Sequence, residues 1–89
     1  MHPKTIVYGI EVGGVSKAYA KDVFEKGKRI EDVVNGTPVL ISRLPSGRLF
    51  FRSKILGEKI IARRMFWFAW SAFYPNSLVY SRQSALNGR

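Results

Sequence analysis

Eighty-nine residues suffice for one domain and not for two, and a composition 46% hydrophobic and 13% aromatic supports a packed core rather than disorder. The absence of cysteine excludes a disulfide framework and any thiolate metal site. The net charge of +9 is lopsided: six basic residues face five acidic ones in residues 1–40, but nine face one in residues 41–89. Such asymmetry favours a polyanionic partner (nucleic acid, anionic lipid or an acidic protein) beside the plainer role of a solvated basic surface.

In chain order, Ile6 to Val12 is β-branched and aromatic and ends at Gly13-Gly14, a hairpin signal that sends the chain back over Val15 to Ala20. Lys21 to Gly27 reads as a short helical turn with Gly27 as its stop. Ile30 to Val34 and Thr37 to Leu44 then flank Asn35-Gly36, the preferred two-residue turn, with Pro38 at a strand start or edge. Pro45-Ser46-Gly47 marks a third turn before a strand from Arg48 to Ile55. Another strand is expected near Lys59 to Ala62. Residues 64–74 contain no Gly, Pro, Asn or Asp and stop at Pro75. Phe66, Trp70 and Phe73 recur there at helical spacing, with Trp67, Ser71 and Tyr74 on a neighbouring face. A helix so apolar around its girth is expected to be buried, with Trp70 as its keystone and Phe66 and Phe73 beside it. The competing role is a membrane-interface or partner surface flanked by Arg63 and Arg64. Leu78 to Tyr80 reads as a last short strand, and residues 82–89 as a disordered tail behind a single compact domain of residues 1–81.

The fold class expected is therefore α+β: a small antiparallel meander sheet, open to curling toward a barrel, with one aromatic helix packed on it. The longest apolar run, Met65 to Trp70, is far short of the ~20 residues that a membrane span needs. The N-terminus carries no apolar signal region, so the chain as given is expected to be cytoplasmic.

Three segments carry a family resemblance. They are Gly9-Ile10-Glu11-Val12-Gly13-Gly14-Val15-Ser16-Lys17-Ala18-Tyr19, Ile30-Glu31-Asp32-Val33-Val34-Asn35-Gly36-Thr37-Pro38-Val39, and Phe66-Trp67-Phe68-Ala69-Trp70-Ser71-Ala72-Phe73-Tyr74-Pro75. In order and spacing they resemble the uncharacterised family known as domain of unknown function 3179, over roughly residues 6–80. Ala20 stands where that family usually has proline. Longer members carry a Cys-Pro-Leu-Cys-Gly-like motif after the Pro-Val strand, where this chain has Ser42-Arg43-Leu44-Pro45-Ser46-Gly47. The resemblance implies a compact C-terminal-type repeat without the cysteine-bearing unit, and it implies no activity.

The residues point away from catalysis and cofactors. The single histidine, His2, lies at the terminus, and no Ser or Thr has a histidine to activate it. The adjacent acids Glu31 and Asp32 point to opposite faces of a strand, so no metal or other cofactor is expected. Gly13-Gly14 lacks the following helix and further glycines of a phosphate loop. Lys17 and Asp32 are the one polar pair worth following: either an ion pair joining two hairpins, or an Asp32 brace for the Asn35-Gly36 turn. Both roles are structural, as are those of Trp67 and Trp70. Alternation places Arg48, Phe50, Arg52 and Lys54 on one strand face, and with Arg43 these form a candidate polyanion site. The function expected is a non-catalytic structural or interaction domain with a protein or polyanion partner; the alternative is single-stranded nucleic-acid binding through the basic half.

Overall fold

A two-glycine turn reverses the chain after its first strand. β1 (Ile6–Val12) returns as β2 (Val15–Ala20) through Gly13 and Gly14, whose φ angles of 57° and 86° are the positive pair that a tight hairpin requires. β3 (Arg29–Val34) and β4 (Thr37–Arg43) meet in the same way at Asn35-Gly36, and β5 (Leu49–Ser53) follows the turn at Pro45-Ser46-Gly47. All three turns join antiparallel neighbours. These observations come from a computed structural model, which describes residues 1–24 and 28–80. The stop expected at Gly27 and the tail from Arg82 to Arg89 lie outside the described residues.

The strands form two four-stranded sheets, not one meander, and neither closes into a barrel. The first has the order β7-β1-β2-β8 and the second β3-β4-β5-β6, with β6 at Lys59–Ile60, β7 at Arg63–Phe66 and β8 at Leu78–Val79. The meander breaks between β2 and β3. Residues 21–28 separate those strands, and a 3-10 turn at Lys21–Val23 carries the chain from one layer to the other instead of into a hairpin. Pairing is not antiparallel throughout either, because β8 lies parallel to β2. The reason is burial. Each hairpin presents one apolar face, and a chain this short can bury both only by laying them together.

The core follows from alternation. Tyr8, Ile10 and Tyr19 of the first sheet meet Val39, Ile41 and Phe51 of the second, with Phe24 and Tyr80 closing the side. Tyr19 is central, its ring 5.2 Å from that of Phe51 and 5.4 Å from that of Tyr80. The other face of the first sheet carries only small side chains at its middle: Val7, Gly9, Ala18 and Ala20. The indole of Trp70 fills that space. A Cβ on Gly9 would overlap the six-membered ring of Trp70, so glycine here makes room for tryptophan.

The helix is shorter than its sequence pattern, and less buried. Arg63–Phe66 is strand β7, paired with the free edge of β1, and α1 occupies only Trp67–Phe73. Phe66 remains extended at φ −69° and ψ 147° before the first helical turn, and no Ser, Thr, Asp or Asn caps the helix earlier. Trp70 is 1% exposed, whereas Phe66 and Phe73 lie open to solvent. Among the described residues α1 packs on one sheet alone, and Trp67, Trp70 and Tyr74, spaced at i, i+3 and i+7, are the side chains it turns to that sheet.

Candidate polyanion-binding groove

The polar pair between the sheets is a structural tie. Lys17 Nζ lies 2.7 Å from Asp32 Oδ2, and the Tyr19 hydroxyl donates to the same oxygen at 2.8 Å. Lys17 and Tyr19 come from β2 and Asp32 from β3, so the contact bridges the two layers. Asp32 thus braces the sheets and not the Asn35-Gly36 turn; the Asn35 amide reaches Gly13 O, joining the tips of the two hairpins. Burial, followed by the hydrogen bond and charge of Asp32, holds the Tyr19 phenol well above its ordinary value of 10.0. A raised value means that Tyr19's contribution to stability is complete below pH 10 and is lost as pH rises further.

The basic residues divide among four environments. Arg43 turns inward, where its guanidinium donates to the Phe24 carbonyl, and its own N–H bonds to Lys28 O at 3.1 Å. It secures a loop and is removed from the candidate site. Lys54 pairs with Glu31 at 2.8 Å on the exposed outer face of the second sheet. Arg52 stands over the Phe50 ring at 5.4 Å, and Lys59 approaches the same ring at 5.9 Å from the neighbouring strand.

The fourth environment is a groove of about 910 Å³. Its floor includes the core residues Tyr8, Leu49, Phe51 and Ile60. Its rim carries Lys21, Arg48, Lys59 and Arg64, and among the described residues no carboxylate lines it. β7 explains how Arg64 arrives there: it pairs with Tyr8, whose side chain faces the second sheet, and residues directly opposite share a face. Arg63, opposite Gly9, points to the α1 side instead. Of the sequence-derived candidates, the groove gathers Arg48 and Phe50; Arg52 and Lys54 stay on the outer face. Lys21, Lys59 and Arg64 were not among those candidates. Their only sequence signal is the excess of positive charge, which does not show which cations converge.

Among the described residues, no group of three or more His, Asp or Glu side chains is placed to hold a metal, and no helix is long and apolar enough to cross a membrane. Comparison of the chain with protein-family models, with curated proteins and with solved structures gives no match.

Proposed function

We propose that this chain is a non-catalytic interaction domain whose ligand is a polyanion, seated in the groove between the two sheets. The observation that carries this reading is the rim of four cations over an apolar floor, without one carboxylate among the described residues. An extended anion placed there meets Lys21, Arg48, Lys59 and Arg64, with no like charge among the described lining residues to repel it. Single-stranded nucleic acid is the polyanion favoured by Phe50, because a half-exposed ring beside Arg52 and Lys59 offers a base a surface for stacking. The most buried polar cluster, Lys17–Tyr19–Asp32, is occupied in holding the sheets together, which supports a role without chemistry.

Membership of the domain of unknown function 3179 family belongs to the same proposal. It rests on the order and spacing of the three segments; in the fold, Trp70 of the third fills the space over Gly9 of the first, and Asp32 of the second bonds Lys17 and Tyr19 of the first. On this reading the family's pattern encodes the joints of a fold.

The test is binding of a short fluorescent single-stranded oligonucleotide between about 50 and 200 mM salt. Four phosphate contacts predict a slope of roughly −3 in log K against log salt. Lys59→Glu with Arg64→Glu is expected to make that slope shallower by at least about 1.4. Binding that ignores salt, or charge-reversed protein that binds as well as wild type, would remove the groove from consideration.

A further inference from the structure

Helix α1 has a solvent face made wholly of apolar side chains. Its sequence, Trp67-Phe68-Ala69-Trp70-Ser71-Ala72-Phe73, contains no charge. With Trp67 and Trp70 turned to the first sheet, Phe68, Ala72 and Phe73 are left outward, Phe68 at 53% and Phe73 at 74% exposure. Phe66 stacks on Phe68, with ring centroids 5.9 Å apart and planes 18° from parallel. Of the exposed large hydrophobic residues among the described residues, Phe68 and Phe73 lie on α1, and Val79, opposite Ala18, shares that side of the sheet. Single exposed apolar residues are ordinary, but the outer face of a helix in a water-soluble domain is normally polar. This concentration marks a surface that something covers.

The surrounding charge narrows what that is. The amides of Trp67 and Phe68 donate to Thr5 O at 2.8 Å and Pro3 O at 2.9 Å, which places exposed Lys4 beside the start of the helix. Arg63, opposite Gly9 on β7, projects to the same side of the sheet as Trp70. No acidic residue occurs after Glu58 anywhere in the sequence. The one β1 carboxylate that alternates toward this side, Glu11, lies two residues beyond Gly9, about 7 Å along the strand toward the hairpin tip.

A second copy is a poor occupant, because a two-fold contact across α1 would gather Lys4 and Arg63 of both copies, four cations, into one interface. Phenyl rings without polar tips, bordered by cations, match instead the boundary between headgroups and acyl chains of an anionic bilayer. We infer that α1 docks this domain peripherally on an anionic lipid surface, with Phe68 and Phe73 entering the headgroup region and Lys4 and Arg63 meeting lipid phosphates. This surface is separate from the groove, which Arg64 enters from the opposite face of β7.

Co-sedimentation of the full chain with vesicles tests the inference. Wild-type protein is expected to bind phosphatidylserine–phosphatidylcholine vesicles and not vesicles of phosphatidylcholine alone. Phe68→Ser with Phe73→Ser changes only exposed positions, so its melting temperature should hold within a few degrees while partitioning falls at least about tenfold. Lys4→Glu with Arg63→Glu should lower partitioning by about 25-fold or more, fivefold or more for each cation. Val33→Ser, on the outer face of the second sheet, should bind as wild type does. Equal binding to both vesicle types, or full binding by the folded phenylalanine variant, overturns the inference. A wild-type dimer in sedimentation velocity that the phenylalanine substitutions dissolve would assign the face to a second copy.

Discussion

Trp70→Ala is expected to leave the domain marginally folded or unfolded at room temperature. Trp70 is the largest fully buried side chain, 1% exposed, and it occupies space that Gly9 leaves free on β1. Its Nε1 donates to Ser77 Oγ at 2.8 Å, and its ring stacks on Tyr74 at 4.1 Å. Truncation therefore opens a cavity between helix and sheet and also breaks a hydrogen bond. Large-to-small changes of this kind cost about 3–5 kcal/mol. A domain of this size has roughly 5–15 kcal/mol in total, so the loss consumes between about a fifth and all of it. At about 4–8 °C per kcal/mol, thermal unfolding followed by circular dichroism should show a fall of roughly 12–40 °C. Phe73→Ala, on the same helix but facing solvent, should move the transition by no more than a few degrees. A Trp70→Ala protein melting within a few degrees of wild type would mean that the helix does not anchor the core.

Asp32→Ala is expected to cost about 2–3 kcal/mol, and more than Lys17→Met at the other end of the same ion pair. The aspartate serves two donors at once, the Lys17 ammonium and the Tyr19 hydroxyl, and its removal leaves both without that acceptor between the sheets. The side chains of Lys17 and Asp32 are 14% and 17% exposed, so water reaches them and the loss stays below the 3–5 kcal/mol of a wholly buried pair. Lys17→Met removes the charge and with it the ammonium's approach to the Tyr19 and Tyr80 rings, but Asp32 retains the Tyr19 hydroxyl as donor. Chemical denaturation of the two variants gives the comparison. Equal or reversed losses would show that Asp32 does not organise the contact.

How much of this was legible in the sequence depended on the range of the interaction. Gly13-Gly14 and Asn35-Gly36 could be read because a turn of two residues with positive φ is a local demand, and few residue types meet it. Alternation set Phe50, Arg52 and Lys54 apart from Leu49 and Phe51 for the same reason. The helix start was misjudged because Arg63 to Phe66 suits either state locally. The unpaired edge of β1, more than fifty residues earlier in the chain, decides it. The two-sheet arrangement was hidden as well, since residues 21–28 carry no mark that separates a crossing between layers from a continued meander. Arg64 and Arg48 lie on strands of different sheets, and only the handover from β6 to β7 brings them to one groove. Arg43, grouped by charge with its neighbours, follows Val39 and Ile41 at the alternating inward positions of β4 and turns to the Phe24 carbonyl, a placement that its charge hid.

The central claim is that the groove between the sheets receives a polyanion. The most direct measurement is a titration of isotopically labelled protein with a short single-stranded oligonucleotide, followed through its backbone amide chemical shifts at low salt. The account predicts that the largest changes fall at Arg48, Phe50, Lys59 and Arg64, with Tyr8 and Ile60 of the floor among them, and that added salt reverses them. No change at low salt, or changes confined to the hairpin tips at Gly13 and Asn35, would contradict it.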